Sequence, residues 1–199
     1  MSEIDSFIEE VTEEVRRDKL FALYRRYGWI AGAVVVAVVG TASFIEWRNY
    51  TNTQASQGFG DAIMAALVSD DIAKRALAIK SVSAPEAEAK PFLALLQAAV
   101  DAENSDRDGA LALLDQVAKD DTAPELYRSL ASLKAVILRG ADQDRTARLA
   151  ELDRLATPGN PFRVLAMEQK ALALVEFGNN DEAIALLLAI LDEPGATQD

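Results

Sequence analysis

From Tyr27 to Ile45 the chain carries no charged residue for 19 positions, inside the stretch YGWIAGAVVVAVVGTASFIEW that fills residues 27–47. A helix rising about 1.5 Å per residue would make this run about 28 Å long, close to the ~30 Å hydrocarbon thickness of a bilayer. Eight of its residues are Val, Ile or Phe: Ile30, Val34, Val35, Val36, Val38, Val39, Phe44 and Ile45. At about −0.3 to −0.6 kcal/mol each they favour insertion by at most about −2.5 to −5 kcal/mol. Gly28, Gly32, Gly40, Thr41 and Ser43 subtract from that sum. Tyr24, Tyr27 and Trp29 at one end, and Trp47 and Tyr50 at the other, suit the two headgroup regions.

Three readings compete for such a run. A buried core helix is disfavoured because a valine-rich segment is a poor helix former in water and a common one in lipid. A cleaved signal peptide needs a short basic leader, whereas the 26 residues before the run carry seven acidic side chains. The small residues Gly40-Thr41-Ala42 are followed by Phe44, Ile45 and Trp47, so apolar sequence continues past any cut there. A retained anchor fits best. Arg16, Arg17, Lys19, Arg25 and Arg26 precede the run closely, while Arg48 follows it and the next base is Lys74. The positive-inside rule then keeps the N-terminus in the cytoplasm and exports the C-terminal part. Gly28 and Gly32 form a GxxxG spacing, which suits a close helix–helix contact but also occurs where apolar spans are simply rich in small residues.

Composition narrows the chemistry. With no cysteine there is no disulfide or thiolate, and with no histidine the commonest general base and metal ligand are missing. A formal charge of −12 opposes nucleic-acid binding. No phosphate-binding glycine loop and no nucleophile elbow is present. The acid pairs Asp70-Asp71 and Asp120-Asp121 fall at expected turns or helix ends, where Asp caps backbone N–H groups, and no third ligand converges on either. The expectation is a protein that is not an enzyme and uses no cofactor or metal.

Residues 1–26 form a first segment. Ile4, Phe7, Ile8, Val11 and Val15 share one helical face, with Ser2 placed to cap it. It reads either as a solvated helix leading into the span or as a cytosolic docking helix.

Beyond residue 48 the prolines set a period. Pro91, Pro124 and Pro158 are 33 and 34 apart, and Pro161 and Pro194 are 33 apart. A period near 34 marks helical-hairpin repeats. In the last interval a helix is expected from about Phe162 to Phe177, then a turn at Gly178-Asn179-Asn180. A second helix opening at Asp181 carries Ala183, Leu187 and Ile190 on one face. Earlier turns are expected at Ser69–Asp71, Asn104–Asp106 and Gly140–Asp142, giving about four helix pairs. Ala110, Leu114 and Val117 follow one of these turns, and Leu149, Leu152 and Leu155 another.

The last interval resembles the tetratricopeptide repeat (TPR). Its matching positions are Ala171 where two helices cross, Gly178 at the turn, Ala183, Leu187 and the terminating Pro194. The motif's tryptophan and second aromatic are absent, and an irregular helical bundle is the alternative. The expected fold is therefore all-α, with one transmembrane helix (27–47) followed by a TPR-like superhelix over 48–199. The resemblance implies protein binding on the surface of each pair's first helix, where Tyr127, Lys134, Glu168 and Glu176 are expected to project.

The whole layout is similar to that of the bacterial inner-membrane ancillary subunit of the Sec translocon, and FIEEVTEEVRRDKLFALYRRYG before the span carries much of the likeness. That resemblance implies a single-pass inner-membrane protein whose periplasmic domain meets translocon subunits, exported polypeptides or periplasmic chaperones. A periplasmic cell-division coordinator shares the domain type, so a scaffold for division or envelope assembly is the alternative. Homo-oligomerisation is left open.

Overall fold

The computed structural model describes the backbone of residues 3–193 and the side chains of 25–26, 29–30 and 32–193, and every regular element among them is helical. The order is α1 (Glu3–Leu67), α2 (Ile72–Ser81), α3 (Lys90–Glu103), α4 (Arg107–Ala118), α5 (Glu125–Arg139), α6 (Arg145–Leu155), α7 (Arg163–Glu176) and α8 (Asn180–Leu191). Short 3-10 turns at Ala87–Ala89 and Gly140–Asp142 precede α3 and follow α5. Packing divides the chain into Met1–Ser56 and Gln57–Asp199. The division falls beyond the expected boundary at 47/48 because α1 continues unbroken past Trp47, and Phe59 and Ile63 are the first of its residues in a core cluster.

Within the first unit the described part of α1 exposes Val34, Val35, Val36, Val38 and Val39, which at 3.6 residues per turn cover a little over half the circumference, and Trp29, Ile30 and Phe44 point into the remainder. Trp29, Ile30, Phe44, Ile45, Trp47 and Tyr50 are exposed as well. The Thr41 hydroxyl donates to the Ala37 carbonyl at 2.7 Å, so its polar group is satisfied inside the helix. Among the described residues no helix is long and apolar enough to cross a membrane, and Tyr27, Gly28 and Ala31 of the uncharged run lie outside the described side chains. Gly32 has nothing within 4 Å of where a Cβ would sit, and its GxxxG partner Gly28 is outside the description.

The second unit is a stack of helical hairpins. Each second helix opens on an acidic or amide residue. Asp71 accepts from the Ala73 and Lys74 amides at 3.0 and 3.2 Å, Asp106 from Gly109 at 3.0 Å, and Asp144 from Ala147 at 2.9 Å. Asn179 holds the N-cap position of α8, which starts at Asn180, one residue earlier than expected, without a side-chain capping bond, so the capping bonds are those of the three aspartates. These bonds satisfy N–H groups that the helix itself leaves unpaired. Proline marks the first helices: Pro91 stands in the first turn of α3 and Pro124 is the N-cap of α5, places where a missing N–H costs nothing.

Three apolar clusters tie the hairpins together. Ile63 and Ala66 of α1 meet Ala76 and Ile79 of α2 and Leu93 and Val100 of α3. Leu95 and Ala98 of α3 meet Ala110, Leu114 and Val117 of α4 and Ala131 and Ala135 of α5. Leu133 and Val136 of α5 meet Leu152 and Leu155 of α6 and Ala166 and Ala173 of α7. Every cluster thus joins one hairpin to the first helix of the next, the arrangement that lets a repeat bury a face it cannot bury alone. Ala171 and Ala183 are buried, as expected of small residues at a close crossing. Leu187 is exposed, contrary to a fully packed face on α8, because no described helix lies over it. Pro194 is outside the described residues.

The turn from α3 to α4 and the turn from α7 to α8 share one geometry. Asp106 N–H reaches back to the Asp101 carbonyl at 2.8 Å, and Asn179 N–H to the Leu174 carbonyl at 2.8 Å. Between helix end and cap, one residue in each turn takes a left-handed conformation: Gly178 at φ 79° and Ser105 at φ 63°. Glycine adopts this freely, whereas a residue with a Cβ loses about 1 kcal/mol or more. Ser105→Gly should therefore raise unfolding stability by about 1 kcal/mol and Gly178→Ala should lower it by a similar amount. Denaturant titrations of the two variants, read against the parent midpoint, check both signs.

Candidate protein-interaction surface

The first helices α3, α5 and α7 bury one face in the clusters and keep another apolar stripe outside. On α5 this stripe runs through Leu126, Leu130, Lys134 and Ile137, spaced 4, 4 and 3. Leu130 is half-buried and the other three are exposed. On α7 it runs through Leu165, Glu168, Leu172 and Val175, all exposed and spaced 3, 4 and 3. Phe92 is exposed on α3. Repeated spacings of 3 and 4 keep side chains on one side of a helix, so these are continuous faces rather than scattered apolar residues.

Between α3 and α5 the faces enclose a groove of about 360 Å³. Its α3 wall is Ala98, Ala99 and Ala102, and its α5 wall is Lys134, Ile137 and Leu138. The alanines leave room and offer no polar atom beyond backbone. Ile137 and Leu138 supply apolar area, and the Lys134 ammonium, in no ion pair among the described residues, stands at the edge as a donor. Such a groove can take an apolar side chain of a bound segment and fix its register through one polar contact.

A second depression, about 550 Å³, lies over the other side of α5 between α4 and α6. Several of its charges are matched within the fold. Arg139 donates to both carboxylate oxygens of Asp115 at 2.6 and 2.5 Å, and Arg154 holds Glu151 at 2.6 Å and the buried Ser132 hydroxyl at 3.0 Å. The Arg154 hydrogen bond depresses the Glu151 carboxyl below its ordinary value of 4.5, against an opposing push from burial. These pairs help hold the hairpins together, while Arg128 Nε and Gln143 Oε1, which also line the depression, are buried without a hydrogen-bond partner among the described residues.

The four projected contact residues separate on inspection. Lys134 is exposed and lines the α3–α5 groove. Glu168 is exposed on the α7 stripe. Tyr127 is half-buried against the α3–α4–α5 cluster and contributes mainly packing. Glu176 accepts from the buried Arg148 at 2.5 Å, so it serves as the counter-ion of a guanidinium that the Phe177 ring also covers at 5.9 Å. Sequence reasoning missed Ile137, Leu172 and Val175. The available signal was an α5 and an α7 apolar over more of their circumference than one buried face requires.

In the two acid pairs one member caps a helix and another closes a turn, while Asp121 pairs with Arg128 at 3.2 Å. Asp71 caps α2, and Asp120 accepts from the Thr122 hydroxyl and amide at 2.6 and 2.9 Å, bonds that hold its carboxyl below the ordinary 3.8. Among the described residues no group of three Asp or Glu side chains converges as a metal-ligand set.

Two expectations follow from these contacts. Glu176→Ala leaves Arg148 buried without its counter-charge and should destabilise the fold by about 2 kcal/mol, while Lys134→Ala, at an exposed and unpaired site, should change stability by less than about 0.5 kcal/mol. For pH, Glu151 and Asp120 have folded values below their unfolded ones, so their stabilisation is complete above the unfolded values. It is lost as pH falls through the folded ones. Thermal unfolding followed from neutral pH down to about pH 3 should show the midpoint falling below about pH 4.5, and Glu151→Gln should flatten part of that fall.

Residues 22–193 match the tetratricopeptide repeat-like domain family. No curated protein and no solved structure matches the chain. The family match covers both the hairpin stack and the helix leading into it. The caps, period and clusters described above agree with it, and the chain belongs to the tetratricopeptide repeat-like domain family.

Proposed function

We propose that this chain is a membrane-anchored protein-interaction scaffold that holds its repeat domain on the far side of a bacterial inner membrane. One observation carries the reading. The 19-residue uncharged run lies within one unbroken helix, and its described apolar side chains point in every direction with no protein packed on them. A helix apolar all round calls for burial, and lipid is the environment that supplies it without a partner fold. The five basic residues before the run and the one close after it support a cytoplasmic N-terminus. The interaction role rests on the repeat family and on the apolar faces of the first helices. For partners, the layout with its retained anchor favours translocon subunits, exported polypeptides or periplasmic chaperones over a division or envelope scaffold.

Topology is testable without background because the chain has no cysteine. In cells with a permeabilised outer membrane, an impermeant maleimide should label Lys119→Cys in intact spheroplasts and label Ser6→Cys only after the membrane is broken. The opposite pattern contradicts the orientation. A photo-crosslinker placed at Ile137 in the same membranes should capture Sec subunits or chains in transit. Capture of division proteins alone, with enrichment of a fluorescent fusion at midcell, would move the assignment to the scaffold for division.

A further inference from the structure

The four second helices can be aligned by their caps, Asp71, Asp106, Asp144 and Asn179. Eight residues past each cap stand Ile79, Leu114, Leu152 and Leu187. The first three are 0, 3 and 0% exposed, and Leu187 is 44% exposed. Five residues past the caps, Ala76 is buried and Leu111 and Leu149 are half-buried, but Ile184 is exposed. Twelve past, Ala118 and Ala156 are half-buried, but Leu191 is exposed. With Leu188, the bare residues of α8 are spaced 3, 1 and 3, forming one apolar seam.

The same molecule shows what covers an equivalent seam. Over α4 lies α5, which sets Ala131 and Ala135 against Leu114 and Val117 with Tyr127 and Leu130 alongside. Over α6 lies α7, which sets Ala166 and Ala173 against Leu152 and Leu155. In these two cases, where the seam is built on leucine as in α8, the contact face of the cover includes alanine; over α2, whose seam is built on Ile79, α3 sets Leu93 and Val100 instead. Charge narrows the cover for α8 further. Asp181 and Asp192 stand beside the seam and the helix contains no base. Two copies of α8 laid together would oppose like charges, which disfavours a second copy as the occupant.

We propose that α8 is a docking surface for a helix of a partner protein, laid across it as α5 lies across α4. The docked helix presents alanine on its contact face and Lys or Arg on its flanks. This surface is separate from the α3–α5 groove, and it stands whether or not that groove binds anything.

The probe is a fluorescein-labelled peptide of the α5 sequence, ELYRSLASLKAVILR, which carries three bases against one acid and already covers the equivalent face of α4. It is titrated into the full-length chain in nanodiscs, with anisotropy as the readout. Saturable binding is expected, weakened about tenfold or more by Leu187→Glu and several-fold by Asp192→Lys, and unchanged by Ile137→Glu in the α3–α5 groove. Both α8 changes fall on exposed residues, so circular dichroism should report an unaltered helix content. A peptide with both alanines changed to Glu should not bind. Absence of binding up to about 1 mM, or binding indifferent to Leu187→Glu, overturns the proposal. So does light scattering that shows a dimer of the full chain dissolved by Leu187→Glu, since a second copy would then be the occupant.

Discussion

The repeat domain depends on one contact made over and over: the first helix of each hairpin closing the apolar face of the second helix before it. Leu114 is buried because α5 lies on it, and Leu152 because α7 does. No hairpin here has enough apolar area to stand alone. Stability in such a stack is a sum of hairpin terms and neighbour terms, so losing one interface loosens what lies beyond it. The polar devices serve that contact. Arg107 of α4 donates to the Leu138 and Arg139 carbonyls at 3.1 and 2.9 Å, closing the C-terminal end of α5, while Arg139 returns to Asp115 on α4. Lys80, beside the buried Asp101 at 2.9 Å, brings a counter-charge to the end of α3, and that contact raises the lysine's own pKa.

Much of this stack was legible in the residues. The proline period located the hairpins because proline is tolerated at a helix start and not within one, and the Asx residues located the second helices through capping. Ala110, Leu114 and Val117, and Leu149, Leu152 and Leu155, follow their turns at 3–4 spacing; five of the six are buried and Leu149 is half-buried. Other features could not be read from spacing. Periodicity marks a face as apolar but does not say whether anything follows to cover it, so Leu187 was grouped with residues that differ from it only in having a neighbour. Glu176 looked like any exposed acid on a first helix. Its role is set by Arg148, which occupies a position where the hairpins on either side carry Ala110 and Ala183. Arg75, at the same distance past the α2 cap, is paired in the same way with Glu103 at the end of α3 at 2.9 Å, and only three dimensions pair Arg148 with α7.

The interaction surfaces arise from the same economy. First helices that must pack on two neighbours are apolar over a wide arc, and whatever neighbours leave uncovered becomes available to a partner. Ile137 beside Lys134 and the seam on α8 are two such remainders. The uncharged run of α1 differs from them in kind, since its described apolar side chains are spread around the helix rather than along one stripe. A scaffold with passive grooves gains specificity from being held where its partners pass. Under the proposed anchoring, the repeat domain would be held at a raised local concentration at the membrane.

That anchoring is the central claim, and alkaline extraction of membranes tests it most directly. Membranes bearing the full chain are washed with carbonate at about pH 11, alongside membranes bearing a variant with Val34, Val36 and Val38 each changed to Asp. Three acids at mid-span raise the insertion cost by about 7 to 10 kcal/mol, more than the run's favourable sum. The account predicts that the parent stays in the membrane pellet and the variant is recovered in the supernatant. A parent chain released by the wash would contradict it.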